Sequence, residues 1–245
     1  MSLQRDLVHG ELGEVSPAVA MDALHNRFAL ADEADFGDDV DVLNSALTLE
    51  YLEAAFYQQG NAKGLLSGKS KKYLEQIQRD EEAHVAAVKQ TIEKLGGKPV
   101  AKPKVQFGDA FKSRKSYLTT SHTFENVGVG AYLGAAGFLK HKAVLQAAAG
   151  IFGVEARHAA IVGNLLGLDP EGGVYMGAVE TPQSKSKVLK AVAPFMMPSG
   201  GMETGGGGTA GPERAAAFGV GGAALVGAGA AAYAARRRAT SADDG

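Results

Sequence analysis

A doubled arrangement of acids and histidines, set on apolar helical stripes, restricts this chain more than any other feature. Glu50 is followed seven residues later by Tyr57 and then by Glu81-x-x-His84; Glu125 is followed seven residues later by Tyr132 and then by Glu155-x-x-His158. The steps from the first to the second Glu are 31 and 30 residues. Leu43, Leu47, Glu50, Ala54 and Tyr57 advance alternately by four and three, which lines one face of a helix beginning near Asp38. Leu74, Ile77, Glu81, His84, Val88 and Leu95 form a second stripe, and Leu118, Ser121, Glu125, Gly128 and Tyr132 a third, over about 113–136. Val144, Ala148, Ile151, Glu155, His158, Val162 and Leu165 form a fourth, over about 139–166. Gly60, Gly64 and Gly68 are expected to end the first helix, and Gly96, Gly97 and Pro99 the second. The segment 98–110, with Pro99, Pro103 and Gly108, is long enough to cross a bundle end. The reading is all-α: four helices in two hairpins.

Ionisable groups therefore stand where apolar ones belong. Four carboxylates gathered inside a bundle repel one another and take up protons unless a cation of high charge neutralises them, so a shared metal centre is the economical explanation. The chain has no Cys, so any metal must be held by Glu, Asp and His. In each Glu-x-x-His the i, i+3 spacing puts carboxylate and imidazole one turn apart on one face, within reach of a common site. Glu53, three residues after Glu50, is an alternative ligand on the first helix; Glu50 is preferred because Tyr57 then mirrors Tyr132. Each Tyr is a candidate catalytic group that bonds a ligand carboxylate or passes electrons, and equally a core phenol with its hydroxyl satisfied. His9, His25, His122 and His141 have no partner in the repeat and are not assigned as ligands; Glu82 and Arg157 fall off the stripes.

A Glu on each of two helices and Glu-x-x-His on each of the other two resembles the ligand set of the ferritin-like dinuclear carboxylate proteins. LNSALTLEYLEAAFY (Leu43 to Tyr57) and FENVGVGAYLGAA (Phe124 to Ala136) further resemble the branch that includes desiccation-related proteins. The likeness covers residues 38–168. It implies an up-down, crossover, up-down four-helix bundle and two iron or two manganese ions, with Glu81 and Glu155 bridging, Glu50 and Glu125 terminal, and one His on each metal. It also implies oxidation of ferrous iron or reduction of oxygen or peroxide. Manganese-catalase-like disproportionation of peroxide, or a non-catalytic protective role in stress or desiccation, are the alternatives. Family members often carry an Asp before each bridging Glu, orienting the His of the opposite hairpin. Asp80 fits this outer position, but its counterpart is Val154, which points to uneven occupancy with the weaker metal on the His158 side.

The remaining segments divide by composition. Residues 1–37 read as an irregular extension without the basic start and apolar run of a secretory signal. Residues 169–199, with Pro170, Pro182, Pro194 and Pro198, form a packed or loose extension without long helices. Residues 200–212 are a Gly-rich linker. In 213–245, the uncharged run 215–235 is followed at once by Arg236, Arg237 and Arg238. That order suits a membrane anchor through 213–238 with the bundle on the cell surface; the competing reading is a partly disordered Ala-rich tail on a cytoplasmic protein. A formal charge of -2 supplies no basic footprint for nucleic acid. GLLSGKS at 64–70 has one residue too few for a phosphate loop and follows a helix instead of a strand, so nucleotide binding is rejected there. Assembly into a homo-oligomer is compatible with the fold class, and no shell-forming surface is legible.

Overall fold

Helix α1 (Asp39–Ala62) starts where the Asp38 side chain accepts the amide of Asp41, satisfying one of the N–H groups that a first turn leaves free. The structure, a computed structural model, describes residues 36–197; the linker 200–212, the tail 213–245, His9 and His25 lie outside the described residues. Helix α2 (Gly68–Lys94) follows a turn in which Gly64 and Gly68 take positive φ, the conformation that glycine alone adopts without strain. Gly60, expected as a breaker, instead stays inside α1: the Tyr117 ring lies so close that a Cβ there would meet it at 2.3 Å. Its missing side chain serves packing between helices.

After α2 a long connection reaches α3 (Arg114–Ala136), which begins with a reciprocal capping box between Ser113 and Ser116. Helix α4 (Lys142–Leu166) follows and ends at Gly167 in the left-handed conformation. Side-chain bonds fix the directions. Tyr117 bonds Asn61, Tyr57 bonds Glu125 and Tyr132 bonds Glu50, so α3 runs antiparallel to α1. The connection from α2 to α3 accordingly travels the length of the bundle, and two hairpins, α1 with α2 and α3 with α4, face one another across an approximate twofold. This is a four-helix bundle.

Two apolar clusters occupy its ends. One is aromatic, with Phe56, Phe107, Tyr117 and Phe124 in edge-on or tilted contact; the other gathers Leu43, Leu47, Val88, Ile92 and Val144. The Pro-containing extension is packed. Its short helix α5 (Lys185–Val192) buries Val188 and Val192, the Phe195 ring meets Phe124 with centroids 4.7 Å apart, and Met197 donates to the Lys104 carbonyl of the crossover. Gly130 and Gly134 of α3 admit this segment: the Gln183 amide donates to the Gly130 carbonyl, and a Cβ on Gly134 would lie 2.0 Å from the Gln183 carbonyl oxygen. Among the described residues no helix is long and apolar enough to cross a membrane.

Candidate metal centre

Midway along the bundle the stripes deliver their ionisable groups to one place. Glu50 comes from α1, Glu81 and His84 from α2, Glu125 from α3, and Glu155 and His158 from α4, and all six are buried. They form two overlapping sets of donors: Glu50, Glu81, His84 and Glu155 in one, and Glu81, Glu125, Glu155 and His158 in the other, with the donor atoms of each set within 4.8 Å of one another. Glu81 and Glu155 belong to both.

The contacts around each imidazole test whether a cation fits. His84 Nδ1 lies 3.1 Å from Glu155, 3.3 Å from Glu81 and 3.4 Å from Glu50; His158 Nδ1 lies 3.0 Å from Glu81 and 3.3 Å from Glu125. Donors bound about 2.1 Å from a common ion at 90–110° to one another are separated by about 3.0–3.4 Å, so these are the edge lengths of a coordination shell. Glu50 Oε2, Glu81 Oε1, Glu125 Oε2, both Glu155 oxygens and His158 Nδ1 are buried without a hydrogen bond. Each such orphan is costly unless something else satisfies it, and a metal ion would satisfy all of them together. The residues present fit bound metal.

Electrostatics lead the same way. Burial pushes Glu50 up to about 7 despite His84 beside it, and burial with the neighbouring carboxylates pushes Glu155 well above the ordinary range. Burial opposes charge on the imidazoles, yet the carboxylates outweigh it: Glu155, Glu50 and Glu81 carry His84 up to about 12, and Glu125 and Glu81 carry His158 to about 11. Burial would raise Glu81, but the His158 and His84 imidazoles beside it outweigh that and draw it down to about 2. Without metal, the two imidazolium groups are the cations that face this cluster among the described residues.

The surrounding bonds cross between hairpins. The Tyr57 hydroxyl of α1 donates to Glu125 of α3, and the Tyr132 hydroxyl of α3 donates to Glu50 of α1. Burial and the adjacent carboxylate hold both phenols well above their usual pKa, so they remain proton donors. Ser121, on the stripe but without a role expected from the sequence, shares the Tyr57 hydroxyl. The pairing of Asp80 overturns one expectation. Its carboxylate lies 3.2 Å from His158 Nε2, so it serves the imidazole expected to be weakly supported. By the twofold, Val154 leaves His84 without that partner, and among the described residues nothing bonds His84 Nε2. Among the remaining histidines, His122 bonds the Gly173 carbonyl and His141 bonds Asp39, both away from the cluster. Glu82 and Arg157 are exposed and bonded within their own helices.

Residues 38–168 match the family described as the ferritin-like domain. The chain belongs to that family. This ferritin-like bundle thus carries a buried Glu and His cluster that could hold metal. No curated protein matches the chain.

Proposed function

We propose that this ferritin-like protein holds two redox-active metal ions, iron or manganese, and uses them to oxidise ferrous iron or to process oxygen or peroxide. The observation that carries the reading is the overlap of the two donor sets at Glu81 and Glu155, because sharing two carboxylates is what brings two ions close enough to act together. Glu81 and Glu155 would span both ions, Glu50 and His84 would complete one, and Glu125 and His158 the other. Four carboxylates and two neutral imidazoles balance the charge of two divalent ions. Such a pair, when bound, supplies two electrons to oxygen or peroxide without release of a one-electron radical. The chain's own groups prepare for that. Asp80, accepting from His158 Nε2–H, leaves the Nδ1 lone pair turned to the carboxylates. Tyr57 and Tyr132 hold the terminal carboxylates from the opposite hairpin, and burial of the cluster restricts competing reactants.

Anaerobic loading followed by elemental analysis should give about two ions per chain, falling in Glu81→Ala and His158→Ala together with the rise in melting temperature on loading. Stopped-flow mixing of the ferrous protein with oxygen, and oxygen-electrode traces of the manganese form with peroxide, then test the chemistry. Either form should react faster than the free metal. If two ions bind and neither form outpaces free metal, the redox reading is lost and the non-catalytic protective one replaces it.

A further inference from the structure

The cluster holds a fifth carboxylate that neither donor set includes. Glu53 lies one turn after Glu50 on α1 and is 3% exposed, buried beside four carboxylates that are fully enclosed. The pseudo-twofold that pairs Glu50 with Glu125 pairs Glu53 with Gly128, so the repeat is broken here as well as at Asp80 and Val154: Glu50-x-x-Glu53 faces Glu125-x-x-Gly128. The glycine leaves room. A Cβ built on Gly128 would stand 2.9 Å from Glu155 Oε2 and 3.4 Å from Glu53 Oε1, so both oxygens share the space the missing side chain vacates.

Both oxygens of Glu155 are buried without a hydrogen bond, and among the described residues no hydrogen bond or ion pair holds the Glu53 carboxylate. A long acid buried for packing alone would be expected to bond its helix or a neighbouring donor, since an unpaired buried carboxylate is costly. Here it turns to the gap beside a residue common to both donor sets.

Resting on the dinuclear reading, we propose that Glu53 is a seventh protein donor to the metal pair, entering beside Glu155 through the space left by Gly128. The full set is then five carboxylates and two imidazoles, unequal between the two hairpins. Five carboxylates carry one negative charge more than two divalent ions neutralise, so this set suits a pair whose total charge exceeds four.

Cobalt(II) is the probe, because its visible absorption strengthens as the number of donors falls. The full chain, Glu53→Gln, Glu53→Asp and the exposed control Glu82→Gln are titrated anaerobically and followed by absorbance and by melting temperature. Wild type and Glu82→Gln should bind two ions with the same spectrum. Glu53→Gln should weaken at least one step about tenfold or more and give a stronger band; Glu53→Asp, which keeps the charge but loses reach, should share the stronger band. The metal-free Glu53→Gln protein should melt higher than wild type, since one of the crowded acids is gone, and gain less on loading. A structural acid would instead lower the metal-free melting temperature and leave the loading shift intact, which overturns the proposal. Two ions bound by Glu53→Gln with wild-type affinity and spectrum overturn it while leaving the dinuclear reading in place. Failure of wild type to bind cobalt or manganese overturns both.

Discussion

His84 and His158 each turn Nδ1 into the carboxylates, yet only His158 has a carboxylate on its other nitrogen, Asp80. That bond fixes the ring and its tautomer, and such outer partners typically change metal affinity by about 10 to 100-fold. The asymmetry sits at His84, where the twofold counterpart of Asp80 is Val154. Val154→Asp should therefore tighten the weaker of two stepwise binding constants by about tenfold, and Asp80→Ala should weaken the tighter one. Stepwise titration of the metal-free protein with manganese measures both. If Val154→Asp leaves both constants unchanged, the missing partner is not what separates the sites. The spacing of Asp80 and Val154 before their Glu residues was readable in the chain, and a partner on the opposite hairpin already pairs Asp80 with His158; what that pairing implies, a weaker side at His84 and not at His158, became plain once both rings were seen facing the same carboxylates.

At the scale of elements, the two hairpins are tied at one end by a single acid. Asp39, in the first turn of α1, accepts the amides of Lys140 at 2.8 Å and His141 at 3.0 Å, and its carboxylate meets the His141 imidazole at 2.6 Å, just before α4 begins. Burial alone would raise the Asp39 pKa, but the bonds from Lys140 and His141 outweigh it and lower it below the ordinary value. A depressed folded pKa means that the stabilisation is fully present above about pH 4, the range of an unfolded Asp, and is lost as pH falls through the folded value. Asp39→Ala should cost about 2 kcal/mol at pH 7, in the range for bonds to a charged group, and its stability should fall less steeply than wild type below pH 4. Denaturant unfolding at pH 7 and pH 3 checks both; parallel curves at the two pH values would show that the carboxylate's charge contributes nothing. The hairpins themselves were legible, because Glu50, Glu81, Glu125 and Glu155 fall on stripes of three and four. Asp39 was not, since its partners lie about a hundred residues away and its own stripe has no irregularity to mark it. Gly130 and Gly134 carry no mark of this kind in the sequence either, and what approaches them is the extension at Gln183, far along the chain.

For the whole molecule, the family match ends at residue 168 while the interior continues to Met197. Val188 and Val192 are buried in the same cluster as Leu49, Phe56 and Phe124, and Phe195 adds its ring to that end. Gln183 bonds α3 and Met197 bonds the crossover, so the extension is fastened to both. Burying a Val or Phe side chain contributes about 1.5–3 kcal/mol, so cutting the chain after Leu168 should remove about 5 kcal/mol. That is a large part of the ~5–15 kcal/mol available to a domain. It also uncovers Gly130 and Gly134 on the helix that carries Glu125 and Tyr132. A chain of residues 1–168 should thus melt about 10 °C or more below wild type in the metal-free state, with part of the loss recovered on loading, because metal binds only the folded form. A chain ending at residue 199, which keeps α5 and Phe195, is the control and isolates the effect to 169–199. Calorimetry of the three proteins, with and without manganese, decides it: a 1–168 chain that melts with the control places the extension outside the cooperative core, and a single transition well below the control makes it an integral fifth layer of the bundle.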